Sequence, residues 1–65
     1  MPKHNEIRVQ LSGINGNAFL VLGRVMKALR RHGISAQEIE SFKEEATAGD
    51  YDHLLRTAMA WVDID

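Results

Sequence analysis

This chain of 65 residues contains no cysteine, which limits how a domain of its size can be stabilised. A domain of this size buries roughly 60 % of the surface of its unfolded chain, and its net stability is typically about 3–5 kcal/mol. Small domains often add disulfides or a thiolate-bound metal, which both need cysteine. We therefore expect one domain over residues 1–65, flexible at 1–5, with apolar packing as its main support and self-association as the remaining one.

Other whole-chain properties limit the class of protein. No stretch approaches the ~20 apolar residues of a membrane span, so a soluble, cytoplasmic protein that contacts no membrane is expected. Residues 1–33 hold six lysines and arginines against one glutamate, a net charge of +5, whereas residues 34–65 hold two against eight acidic residues, a net charge of −6. This polarity can be satisfied within the fold, between copies or by a partner, and it indicates association rather than catalysis.

The first elements are a strand and a helix. Apolar and polar residues alternate from Glu6 to Ser12, which predicts a half-buried strand. An Asn-Gly pair follows and would favour a hairpin if a second strand came next. Instead, the apolar residues of the next segment fall on one half of a helical wheel and the basic residues on the other, which predicts a helix from Asn17 to His32, capped by Asn17. The apolar half consists of Ala18, Phe19, Val21, Leu22, Val25, Met26, Ala28 and Leu29.

The second helix has clear signals at its start. Gly33 can adopt the left-handed conformation that ends the preceding helix. Ser35 and Glu38 form a capping box, with Ile34 and Ile39 at the staple positions. The helix is predicted to run from Ala36 to about Ala48. Its narrow apolar stripe is Ile39, Phe42 and Ala46, and its water-facing side is Glu40, Glu44 and Glu45.

The segment GDYDHLL predicts the start of a third helix. Gly49 is expected to end the second helix, and the Asp50 carboxylate to cap the third. Asp52 can pair with Arg56 one turn later. The expected buried face is Tyr51, Leu54, Leu55, Ala58 and Met59. His53 and Thr57 are expected on the opposite face.

The carboxyl-terminal segment WVDID alternates, and its aspartates would be unfavourable at a helix carboxyl end. It therefore predicts a short strand from about Ala60 to Ile64, parallel to the first. The expected fold is a small single α+β domain in the order β-α-α-α-β.

Several motifs together resemble a known group of sequences. These are GNAF, then G-x-V-x-x-A-L, then F-x-x-E-A-x-x-GDYDHLL-x-T, and finally Trp61-Val62. The chain resembles a family of short uncharacterised bacterial and phage proteins over nearly its whole length. That resemblance implies one compact domain and assigns no catalytic residue, cofactor or metal.

Asp50 and His53 are the residues that most suggest chemistry. They lie three residues apart at a helix start, so both side chains can reach one cation, and a histidine there permits general-base catalysis. A zinc site normally needs at least three protein ligands, and His4 and His32 are distant in sequence. Helix capping explains the aspartate without a ligand, so we expect neither a metal site nor an enzyme, with a small enzyme around His53 as the third choice.

Two further motifs have simpler interpretations. Gly13, Asn15 and Gly16 precede a helix and could form an anion-binding turn, but their spacing does not match a dinucleotide or phosphate loop. The two helices joined at Gly33 could form a helix-turn-helix, but the second is acidic and would repel phosphate.

The first helix has the surface most suited to binding. Leu20 lies on its basic face, and Gly23 interrupts the helix beside it. Leu20 and Gly23, ringed by Arg24, Lys27 and Arg31, describe a docking surface for a protein partner or a second copy. The sequence therefore favours a small non-enzymatic interaction module, an adaptor or regulator, that forms a homodimer through Glu6 to Ser12. The alternative is a nucleic-acid-associated accessory protein that uses Arg24, Lys27, Arg30 and Arg31.

Overall fold

The elements follow one another in the predicted order, β-α-α-α-β, and confirm the small α+β domain. The computed structural model describes residues 3–11 and 17–64. The elements are β1 (His4–Val9), α1 (Ala18–Arg31), α2 (Ala36–Ala46), α3 (Tyr51–Trp61) and β2 (Val62–Ile64).

The two strands pair in parallel, as the sequence predicts. His4 lies beside Val62 and Val9 beside Ile64, with an irregularity in the register between His4 and Arg8. The Lys3 amide donates to the Ala60 carbonyl at 2.8 Å, so pairing begins before β1 itself.

Both strand boundaries differ from the sequence prediction. β1 begins at His4, within the segment expected to be flexible, and ends at Val9 instead of Ser12. β2 begins at Val62 instead of Ala60 because α3 continues through Trp61. The Trp61 ring is buried from within the last turn of α3, which favours helix at that position.

The core lies between one face of the sheet and the three helices. β1 contributes Ile7 and Val9, while Arg8 between them is exposed, as strand alternation requires. The fully or nearly buried apolar residues are Ile7, Val9, Val21, Val25, Leu29, Ile39, Phe42, Ala46, Leu54, Ala58, Trp61 and Val62. All three residues of the predicted α2 stripe are among them, and Glu40, Glu44 and Glu45 are exposed as expected.

Side-chain caps define where the helices begin. The Leu20 amide donates to Asn17 Oδ1 at 3.2 Å, and the His53 amide donates to Asp50 Oδ1 at 2.9 Å. The Glu38 amide donates to Ser35 Oγ at 3.2 Å. Gly33, after α1, has φ 79°, the left-handed conformation that glycine tolerates best.

The capping box at Ser35 is only half formed. Among the hydrogen bonds of the described residues, the Glu38 carboxylate binds Lys3 and His4 and does not return to the Ser35 amide. Lys3, just before β1, and His4, its first residue, therefore hold this carboxylate in place of the Ser35 amide.

The end of α2 corrects the prediction. The helix ends at Ala46, with Thr47 as its carboxyl-terminal cap, instead of continuing to Ala48. The Thr47 hydroxyl donates to the Lys43 carbonyl at 2.7 Å, which satisfies one of the last carbonyls. Gly49 is required for another reason, since a Cβ there would lie 2.9 Å from the His53 side chain.

The buried face of α3 is rotated from its predicted position. Met59 is 59 % exposed, whereas Thr57 is buried and His53 is half-buried. Thr57 can be buried because its hydroxyl donates to the His53 carbonyl at 2.8 Å, which leaves no polar atom without a partner. The predicted Asp52–Arg56 ion pair is present, with 3.1 Å between Oδ2 and Nε.

Among the helices that the structure describes, none is long and apolar enough to cross a membrane.

Candidate functional site

A group of polar and aromatic side chains closes one end of the domain around Trp61. We call it the Trp61 cluster. Its members are Lys3, His4, Glu38, Phe42, Glu45 and Trp61. The Phe42 ring meets the Trp61 ring edge-on with centroids 5.4 Å apart, and the Trp61 Nε1 donates to Glu45 Oε2 at 3.2 Å. Lys3 Nζ lies 4.2 Å from the centroid of the indole, within cation–π range.

Glu38 binds both basic side chains of this cluster. Its Oε1 lies 3.0 Å from Lys3 Nζ and 3.1 Å from His4 Nε2. The hydrogen bond from Lys3 is the main reason that the pKa of the Glu38 carboxyl lies below its ordinary value, and the bond from His4 lowers it further against the effect of partial burial. Lys3 and Glu38 of the Trp61 cluster are therefore paired with each other, which leaves no free positive charge on Lys3 for an anionic ligand.

A second region differs in both shape and charge. An open groove of about 410 Å³ runs between β1 and the basic side of α1. We call it the α1–β1 groove. Its cationic side chains are Arg8, Arg24, Lys27 and Arg31, and its apolar residues are Val9 and Ala28.

The cations of the α1–β1 groove are only partly satisfied within the fold. Arg8 Nε lies 3.5 Å from Asp63 Oδ2, and Arg24 Nη1 donates to the Gln10 carbonyl at 2.9 Å. Among residues 3–11 and 17–64, no carboxylate forms an ion pair with Arg24, Lys27 or Arg31. The groove is therefore a region of net positive charge that an anionic partner could neutralise.

The residues predicted to accompany these cations lie farther along the same side of α1. Leu20 is 51 % exposed, one turn before Arg24. Gly23 is exposed, and a Cβ at this position would meet no atom of the described residues within 4 Å. The five predicted partner-binding residues, Leu20, Gly23, Arg24, Lys27 and Arg31, are therefore all accessible on α1. Arg8 joins three of them from β1, which the sequence did not indicate because it lies far from them in the chain.

The exposure of Phe19 corrects the prediction of which residues of α1 are buried. Phe19 was expected in the core, yet it is 86 % exposed and borders an apolar pocket of about 220 Å³ at the start of α1 and α3. The apolar half of the wheel is wider than the side of α1 that its neighbours cover. The apolar lining of the pocket is Ala18, Phe19, Leu22, Ala46, Tyr51 and Leu54.

Asp50 and His53 are engaged in local structure. The Asp50 carboxylate caps α3, while His53 Nε2 donates to the Glu45 carbonyl at 2.8 Å. In the described part of the chain, no group of three or more histidine, aspartate or glutamate side chains is arranged to hold a metal. The anion-binding turn predicted at Gly13, Asn15 and Gly16 lies outside the described residues.

Comparison with known protein families, characterised proteins and solved structures finds no match for this chain.

Proposed function

We propose that this protein is a small non-enzymatic interaction module that binds an acidic protein partner on the exposed side of α1. The observation that supports this most is the α1–β1 groove, where Lys27 and Arg31 have no carboxylate partner among the described residues. Exposed Leu20 supplies an apolar contact at one end of this surface, and the cations would orient the partner.

A nucleic-acid partner is the second candidate, because four clustered cations also suit a phosphate backbone. Among the described residues, however, no aromatic side chain lines the groove, so these residues offer bases no ring on which to stack. An acidic polypeptide needs only the cations and the hydrogen-bonding groups that line the groove, so we favour it.

Fluorescence anisotropy with a labelled oligoglutamate peptide, a DNA duplex and a single-stranded oligonucleotide tests this function. Lys27→Glu with Arg31→Glu should weaken peptide binding by roughly tenfold or more, since both groove charges are reversed. Arg30→Glu with Lys43→Glu is the matched control, because it changes the net charge equally at exposed positions outside the groove that form no ion pair among the described residues.

The two candidate functions predict different outcomes. If the oligonucleotide or the duplex binds more tightly than the peptide, and that affinity falls steeply with salt, the nucleic-acid function replaces the one proposed. Equal losses in the two double variants would mean that only net charge matters, and the groove would not be the binding site.

A further inference from the structure

The outer edge of β1 borders the α1–β1 groove. An acidic partner that bound there as a helix would leave the backbone groups of this edge unpaired. β1 pairs with β2 on one side, and no other strand pairs with His4–Val9 within the described residues. The edge of a strand presents backbone N–H and C=O groups that can pair with a further strand. The groove therefore combines an unpaired strand edge with a wall of positive charge.

Both faces of an added strand would meet suitable groups. The side chains of the added strand that point toward α1 would face Arg24, Lys27 and Arg31. Val9 and Ala28 also line this part of the groove and would offer apolar contacts. Side chains on the other face would lie beside exposed Arg8. Strand side chains alternate between faces, so the acidic residues that meet α1 must occur at every second position.

We propose that an extended acidic segment of the partner adds to β1 as a third strand, with carboxylates at alternate positions facing α1. This inference rests on the proposed function and specifies the form of the partner. Arg24 and Arg31 lie seven residues apart, about 10 Å along a helix. Three alternate residues of a strand span about 13 Å, so flexible arginine and lysine side chains can reach three such carboxylates.

Charge makes a second copy of this chain a poor occupant of the same edge. Pairing of two β1 edges would bring the four groove cations of one copy against the four of the other. One of these cations lies on β1 and three lie on α1, and repulsion between the two positively charged sets opposes such a dimer. An acidic segment from a different protein meets the same edge with the opposite charge, and it gains both backbone hydrogen bonds and ion pairs.

Synthetic peptides test the strand directly and leave the folded protein unchanged. The parent peptide alternates glutamate with threonine, and a control of the same composition has its glutamates consecutive. Two further peptides are N-methylated, one on every glutamate and the other on every threonine. In an added strand, the N–H groups of only one of these sets point toward β1.

Isothermal titration should show that the alternating peptide binds more tightly than the consecutive one. One N-methylated set should lower the affinity by roughly tenfold relative to the other, because main-chain hydrogen bonds supply much of the affinity in strand addition. Equal affinities for both methylated sets would overturn the added strand, while charge-dependent binding of the parent peptide would leave the proposed function intact.

Self-association provides the other decisive outcome. If sedimentation shows a dimer that the alternating peptide neither binds nor disperses, a second copy occupies the edge and the inference is overturned. A monomer that binds the peptide with the predicted asymmetry supports it.

Discussion

The basic side chains at the two ends of β1 differ in whether a carboxylate binds them. At its start, Lys3 and His4 are paired with Glu38 and packed against Trp61. Toward its end, the α1–β1 groove gathers four cations of which Arg24, Lys27 and Arg31 have no carboxylate partner among the described residues. Lys3 and His4 are used in contacts within the fold, whereas the four groove cations are exposed to solvent. The net charge of +5 over residues 1–33 therefore comes from basic residues in two different environments.

The largest expected effect on stability is in the Trp61 cluster. Trp61→Ala removes the ring that contacts Phe42, His4 and Lys3, and such truncations cost about 3–5 kcal/mol, which is comparable with the whole stability of a domain this small. Urea denaturation followed by circular dichroism should find the variant largely unfolded. Leu20→Ala, on the exposed side of α1, should change the free energy of unfolding by no more than about 0.5 kcal/mol. A folded Trp61→Ala variant of normal stability would remove the distinction between the two ends.

A second test concerns His53, which was expected to face solvent. His53→Ala loses the hydrogen bond to the Glu45 carbonyl, and Glu45 also accepts from Trp61. The free energy of unfolding should fall by about 1 kcal/mol, the usual net value of one such bond. His32→Ala is the matched control, because His32 is exposed. Equal and negligible effects would show that the His53 ring is not held as described.

Gly23 tests whether the open side tolerates an added side chain. Gly23→Ala should raise the free energy of unfolding by about 0.8–1 kcal/mol, since alanine favours a helix and its Cβ would meet nothing within 4 Å in the described part of the chain. Gly33→Ala should lower it, because Gly33 has φ 79°. Thermal melts of the two variants should therefore shift in opposite directions. A destabilised Gly23→Ala variant would mean that this part of α1 is covered.

The smallest effect is the pH dependence at Glu38. The pKa of its carboxyl is lowered in the folded protein, mainly by the hydrogen bond from Lys3. Its stabilising contribution is therefore complete above the ordinary carboxyl pKa of about 4.5 and is lost as the pH falls through the lower folded pKa. Urea midpoints of the wild type and Glu38→Gln should converge as the pH falls through that range. A constant difference between them would show that the pairing of Glu38 does not depend on its charge.

Local signals were sufficient to predict the order of elements. Asn17, Ser35 and Asp50 are typical capping residues, and alternation at both ends of the chain indicated the strands. Strand boundaries were less accurate because they depend on tertiary contacts. Trp61 belongs to α3 since its ring fits the core from the last helical turn, which the alternation of WVDID alone does not reveal.

The proposed binding surface could be predicted from the sequence only in part. Leu20 and the cations of α1 share one side of a wheel, so their common exposure follows from helical periodicity. Arg8 comes beside them only through the packing of α1 against β1. Phe19 and Thr57 were misplaced because burial depends on which neighbours cover each side of a helix, and a polar hydroxyl can be buried once a carbonyl accepts its hydrogen bond.

Amide chemical-shift mapping by NMR during titration with the alternating acidic peptide tests the central distinction most directly. The shifts should concentrate in β1 around Arg8 and in α1 from Arg24 to Arg31, and they should remain small around Phe42 and Trp61. Lys27→Glu with Arg31→Glu should abolish them. Shifts centred on the Trp61 cluster or on the pocket beside Phe19, with the α1–β1 groove unaffected at saturation, would contradict the proposal that the groove is the binding region.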